Sequence, residues 1–272
     1  MGGVSPRRRL LVAATVVLLV VVAGVVAVRA LVGSAEAAQP APTATAREQP
    51  GPVLLLPGYG GSTTSLERLA TRLRSATGRD VRVVRAVGDG TGDLTRQAEA
   101  LATTVRGLLA AGAPSVDVVG YSAGGVVARI WADRFGGAGQ ARRIVTLGSP
   151  HHGTEVANLA AQLAPDECPT ACRQLTPDSD LLRGLPVGAL PGPQWVSVWT
   201  SQDDVVKPPS SGRLEGAVDV RLQSICSGDR VDHSGLPDDP LVAGVVVRAL
   251  APTPLTSAPR ASNCRELRTL SS

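Results

Sequence analysis

Short apolar runs alternate along this chain with longer stretches in which apolar residues recur every three or four positions. Val53–Leu56, Val81–Val84, Val116–Val119, Ile144–Leu147, Trp195–Trp199 and a run near Val218–Leu222 have the length and β-branched character of buried strands. Between the first two, Leu66, Leu69, Ala70 and Leu73 fall on one helical face in a segment running to about Thr77. Thr64-Ser65-Leu66-Glu67 has the form of a capping box, with Thr64 as N-cap. Leu94, Ala98, Leu101, Val105 and Leu108 repeat the helical spacing after a capping Asp93 and before a closing Gly112. Val126, Val127, Ile130 and Trp131 follow the third apolar run at once, and a last helix is expected over roughly Pro240–Leu250. Strands alternating with helices predict an α/β fold, a mostly parallel sheet with helices on both faces. Residues 150–194, rich in Pro and Gly, break the alternation and read as an excursion over the sheet edge, a partial cap.

The N-terminal region does not belong to this pattern. Arg7, Arg8 and Arg9 precede an apolar stretch from Leu10 to Val28, and Ala35-Glu36-Ala37 offers a small-x-small cleavage site. Residues 1–37 are therefore expected to be a signal peptide or, since the stretch nearly suffices to span a bilayer, an uncleaved signal anchor tethering the chain to a membrane through residues 10–28. Residues 38–50, rich in Pro, Ala and Thr, read as a linker, and residues 51–272 as the folded domain. The destination is then secreted or held at the extracytoplasmic side of the cell envelope.

Charge and cysteine content sharpen that picture. Most of the formal net charge of +4 sits in Arg7, Arg8, Arg9 and Arg29, so the domain is close to neutral. With three Trp, two Tyr and one Phe in the whole chain, no basic patch interleaved with aromatics exists, and nucleic acid is not a partner. Cys168, Cys172, Cys226 and Cys264 fit an oxidising compartment. Pairing Cys168 with Cys172 closes a small local loop, and Cys226 with Cys264 ties the C-terminal tail to the domain. Other pairings, and zinc, compete with this reading, although the spacing is no C-x₂-C pair and no histidine is close in sequence.

Candidate chemistry centres on Gly120-Tyr121-Ser122-Ala123-Gly124-Gly125. This G-x-S-x-G sequence stands between a strand and a helix, where a sharp turn lifts one hydroxyl above the sheet. Ser122 is the candidate nucleophile, and it needs a base that is itself oriented by an acid. On such a turn the partners follow in the order serine, acid, histidine. Of three histidines, His151 and His152 come directly after the strand that follows Ser122, which leaves His233 as candidate base. Asp203 and Asp204, where the Trp195–Trp199 strand enters a polar loop, compete as acid, with Asp203 favoured; Asp232 reads as a turn former. Backbone N–H groups of Ala123 and of Tyr59, in the glycine-rich loop Pro57-Gly58-Tyr59-Gly60-Gly61, are the candidate oxyanion donors.

These segments, with Leu147-Gly148-Ser149-Pro150-His151-His152-Gly153-Thr154, Ser201–Val206 and Asp232–Leu236, resemble the α/β-hydrolase superfamily. Within it they resemble the secreted bacterial class 2 lipases and esterases, the group of the small Bacillus lipases and their actinobacterial relatives. That resemblance implies an α/β-hydrolase fold, Ser122, Asp203 and His233 as nucleophile, acid and base, and His151 and His152 as structural residues or residues of the site's edge. One departure is Pro57-Gly58, where many relatives have His-Gly. The expected activity is hydrolysis of small-molecule or lipid esters through an acyl-enzyme, with no cofactor and no metal; calcium is left open. The leucines of 150–194 are scattered among charged residues, which argues against a large interfacial lid and for short- to medium-chain esters. An acyltransferase, a polyester or cell-envelope lipid hydrolase on the same residues, and a non-catalytic binding protein of the envelope are the alternatives. A monomer is expected.

Overall fold

A computed structural model describes residues 47–270. The leader over 1–37 and linker residues 38–46 lie outside the described residues.

Six strands form one wholly parallel sheet in the order β2-β1-β3-β4-β5-β6. They are β1 (Val53–Leu56), β2 (Val81–Val83), β3 (Val116–Tyr121), β4 (Ala141–Leu147), β5 (Gln194–Trp199) and β6 (Val218–Arg221). Alternate residues of each strand enter different cores. Leu54, Leu56, Val118 and Ile144 pack with α2 (Leu94–Ala110) and α3 (Ala123–Arg134), whereas Val53, Leu55, Val119 and Val145 pack with α1 (Thr64–Thr77). A side-chain period of two, with both faces apolar, is what a sheet sandwiched between helix layers requires. The excursion adds α4 (Glu155–Leu163), α5 (Thr170–Gln174) and α6 (Asp180–Arg183) to the α2–α3 side. The opposite side is completed by α7 (Pro240–Leu250) and α8 (Cys264–Thr269).

The chain departs from its sequence pattern at three places, each for a physical reason. The capping box does not form. Thr63, not Thr64, is the N-cap, and its backbone (φ −108°, ψ −8°) is helical, so its hydroxyl makes no capping hydrogen bond. Strand β4 begins at Ala141, earlier than its apolar run, because Arg142 and Arg143 are strand residues with buried side chains. Helix α8, short and carrying Arg and Glu, has too few apolar positions to give a period.

Arg142 explains how a charged residue starts a central strand. Its guanidinium donates to both oxygens of Asp117 on β3, at 3.1 and 2.5 Å, and to the carbonyls of Leu250 and Ala251 at the end of α7. Arg79 reaches the same carboxylate at 2.5 Å. Asp117 and Arg142 are wholly buried, so each is tolerable only because the other is present. Asp117→Ala is expected to cost about 3–5 kcal/mol, read as a lower urea midpoint at unchanged slope.

Candidate active site

The loops that follow β1, β3, β4, β5 and β6 meet at one edge of the sheet. Ser122 follows β3 with φ 52° and ψ −124°, the one non-glycine positive φ among the described residues. Glycine makes so tight a turn feasible. A Cβ on Gly120 would stand 2.6 Å from Gly125 Cα, and one on Gly124 would stand 2.5 Å from the carbonyl oxygen of Leu56. The strand, the helix and the β1 loop therefore approach at backbone distance.

Ser122 Oγ lies 3.0 Å from His233 Nε2, and His233 Nδ1 lies 2.8 Å from Asp203 Oδ2. All three residues are buried, Asp203 to 1% exposure. The other Asp203 oxygen accepts the N–H groups of Val205 and Val206 at 3.0 and 2.7 Å. Those two bonds fix the carboxylate so that its free oxygen takes Nδ1–H, which leaves the lone pair of Nε2 facing the serine. Of the two competing carboxylates, Asp203 meets the imidazole. Asp204 instead accepts the backbone N–H of His233 at 3.3 Å, and Asp232 accepts from Ser234 and Gly235 within its own turn.

Tyr59 occupies the second position of a turn closed by Gly61 N–H on the Gly58 carbonyl, with Gly60 at φ 79° in the third. A Cβ on Gly58 would sit 3.0 Å from Ser122 Cβ, so this turn abuts the serine. Ala123 opens α3, and its N–H is among the first-turn donors that no helical carbonyl reaches.

Three neighbours of the site were not singled out by sequence reasoning. Tyr121 stacks obliquely on the His233 ring, with centroids 5.3 Å apart, and donates its hydroxyl to the His233 carbonyl at 3.2 Å. Burial, then the Asp203 charge, raise its pKa and keep it neutral. Gly148, at φ 54°, faces the acid–base pair: a Cβ there would come 3.2 Å from His233 Nδ1 and 3.3 Å from Asp203 Oδ2. Both residues belong to motifs visible in the sequence, but their contacts are long-range. Arg129 on α3 is buried without a carboxylate in contact, donates to the carbonyls of His151 and Pro186 at 2.7 Å each, and is pulled down to about 10 by burial. It pins the excursion to the helix behind the serine.

His151 is buried beside this set, with Nε2 3.0 Å from Thr146 Oγ1, whereas His152 is exposed. Cys168–Cys172 and Cys226–Cys264 are disulfides, as their spacing suggested. Two disulfides fit an extracytoplasmic protein. Among the described residues, no three His, Cys, Asp or Glu side chains are grouped to hold a metal ion, and no helix is long and apolar enough to cross a membrane. Helix α4 turns Val156, Leu159 and Leu163 to solvent, Leu163 to 81%, beside an exposed Val205. The excursion thus presents an apolar stripe that its scattered leucines did not announce.

The sequence pattern described as palmitoyl protein thioesterase matches residues 52–183, a little under half of the chain. No curated protein sequence matches. Among solved structures, Aspergillus fumigatus lipase B superposes with a TM-score of 0.62 at 19% identity over 81% of this chain, which spans 61% of that lipase's length. The mature Bacillus licheniformis lipase BlEst2 gives 0.58 at 17% identity, over 79% of this chain and 95% of its own. Phospholipase PlaB of Legionella pneumophila gives 0.56 at 14%, over 82% and 62%. Identities this low carry the fold alone.

Burial, followed by the nearby Arg129 charge, holds His151 well below the ordinary histidine pKa. The unfolded chain takes up a proton at about 6.5 where the folded ring does not. Stability is therefore full above that pH and falls below it, by up to about 1.4 kcal/mol per pH unit, until the folded ring protonates. Urea unfolding near pH 7.5 and near pH 5.5 is expected to show a smaller acid loss for His151→Gln than for the wild type.

Proposed function

The chain has the α/β-hydrolase fold, and from that premise we propose that it is an exported serine carboxyl-ester hydrolase acting through an acyl-enzyme on Ser122. The observation that carries this reading is the unbroken contact sequence Ser122 Oγ, His233 Nε2, His233 Nδ1, Asp203 Oδ2 on a strained turn. His233 takes the hydroxyl proton as Oγ attacks the ester carbonyl, and Asp203 stabilises the imidazolium that forms. The carbonyl oxygen becomes an oxyanion between the amides of Tyr59 and Ala123. His233 then returns its proton to the departing alcohol, and the acyl group remains on Ser122. Water, deprotonated by His233, cleaves the acyl-enzyme and frees Oγ. Nucleophile, base and donors all come from the chain, so the cycle needs no cofactor.

The cavity between the β1 loop and the start of α3, lined by Pro57, Gly58, Ala123, Gly124 and Val127 among others, has a volume of only about 30 Å³. A long alkyl chain has no buried slot there, which favours short- to medium-chain esters. The exposed α4 stripe favours a second reading, a lipid ester taken from an aggregate, for which the lipases among the structural neighbours are precedents. Acyl transfer to another acceptor would use the same steps with the water replaced. A purely binding protein is disfavoured because all three positions are filled and in contact. Export is supported by the two disulfides and by the basic-apolar leader read from the sequence, which would leave the domain either secreted or tethered to the envelope.

Hydrolysis of p-nitrophenyl esters from acetate to palmitate tests this function, with a thioester series beside it. Ser122→Ala is expected to lower kcat on the order of 10³-fold or more, and its wild-type parent to prefer the shorter chains. A palmitate optimum that rises above the solubility limit would replace the short-chain reading with the lipid one. Asp203→Asn is expected to lose on the order of 10³–10⁴-fold in kcat, and Asp204→Asn far less, because Asp204 touches only the main chain of His233.

A further inference from the structure

His233 is presented by a loop whose conformation is set from outside by the C-terminal segment. The loop begins at Cys226, which is bonded to Cys264 at the start of α8. Three residues on, the Asp229 side chain is buried to 1%. One of its oxygens accepts the N–H of Val231 at 3.0 Å, and the other accepts the guanidinium of Arg268 on α8 at 2.5 Å. The Val231 carbonyl in turn accepts the Thr200 hydroxyl at 2.8 Å, and the Thr200 carbonyl accepts the N–H of Asp203. A chain of contacts thus runs from Arg268 through Asp229 and Val231 to the loops that hold the base and the acid.

Helix α8 is anchored independently of this arginine. Leu267 is buried, and a Cβ on Gly244 of α7 would stand 1.8 Å from the Leu267 carbonyl oxygen, so the two helices touch at backbone distance. Arg268 also opposes a second carboxylate. Burial, with the Asp229 charge adding to it, raises the pKa of Asp239, the N-cap of α7, and Arg268 pulls it back. Arg268 thus contacts Asp229 directly and acts on Asp239 through its charge.

We propose that Arg268 is a positioning residue for His233 and that Ala261–Thr269 is a strap holding the base in place. The proposal rests on the serine-hydrolase reading of the site. Without Arg268, the buried Asp229 side chain loses its ion-pair partner and turns toward water, which releases Val231 N–H. Val231 is two residues from His233, whose imidazole must keep 3.0 Å to Ser122 and 2.8 Å to Asp203 at once. Arg268 itself lies on the strap, away from the serine, so substrate binding is unaffected and the chemical step is slowed.

The test compares full-chain wild type with Arg268→Ala and Arg268→Lys, each normalised to sites titrated with a serine-directed phosphonate. Arg268→Ala is expected to lower kcat on the order of 10- to 100-fold at unchanged KM, and Arg268→Lys to recover most of the loss. Arg268→Gln carries the same comparison if the alanine variant does not fold. A kcat per titrated site within roughly twofold of wild type, or a loss that tracks only the unfolded fraction, overturns the proposal. The downfield proton resonance of the His233 Nδ1–H to Asp203 bond is a readout that does not need turnover. It should broaden in Arg268→Ala and persist in Arg268→Lys; an unchanged resonance also overturns the strap. If wild type and Ser122→Ala hydrolyse esters equally poorly, the ester-hydrolase reading fails, and the resonance alone decides the strap.

Discussion

The architecture hangs on the backbone of Ser122, held at φ 52° between β3 and α3. A non-glycine residue in that region costs roughly 1–3 kcal/mol and persists only where its surroundings leave it no alternative. Here the surroundings are backbone. Gly120 crosses Gly124 and Gly125, Gly124 meets the carbonyls of Leu56 and Pro57, and Gly125 faces Ser149, all at distances that exclude a Cβ. Because β3 lies between β1 and β4, the same packing draws the β1 loop and the β4 loop against the serine. One strained residue thereby determines where the proposed oxyanion donors and Gly148 must lie.

Burial makes this arrangement electrostatically selective. At the start of the strands, Asp117 is shared between Arg79 and Arg142, a fully paired site with nothing left to react. At their ends, Asp203 has two backbone donors and one imidazole, so its charge is spent on holding His233. Arg129 has no carboxylate in contact and satisfies two carbonyls of the excursion instead. The two ends of one sheet thus use the same residue types in opposite ways. Pairing stabilises the first, and directed hydrogen bonding orients the second.

What was legible in the sequence follows the range of the interactions involved. The strands Val53–Leu56 and Val116–Val119, the turn at Ser122 and the helix Pro240–Leu250 are written in local periodicity and glycine placement, and they fold as they read. Chain order pointed to His233 among three histidines, and its ring lies between Ser122 and Asp203. The start of β4 was hidden because Arg142 is polar in sequence and buried in fact, its reason lying on β3 and α7. The capping box failed because side-chain capping depends on a backbone angle at Thr63 that composition does not specify. Tyr121, Gly148 and Arg268 could not be assigned roles for the same reason. Each acts on His233 or its loop across a sequence gap that no local pattern bridges.

The Pro57-Gly58 departure shows how local and distant terms combine at the candidate oxyanion loop. The lipases that the sequence resembles are expected to carry a histidine where Pro57 stands, and a side chain is one way to brace that loop. In this chain the bracing is main-chain. Gly61 N–H closes the turn on the Gly58 carbonyl, and Gly60 N–H donates to the carbonyl of Gly90 in the neighbouring loop. Gly90 in turn packs against Gly61 so closely that a Cβ would stand 2.5 Å from its nitrogen. Proline contributes a fixed φ at the end of β1 and no donor that would compete for these acceptors. Two backbone bonds and glycine contact therefore fix the turn that carries Tyr59, and no side chain at position 57 is needed to hold it.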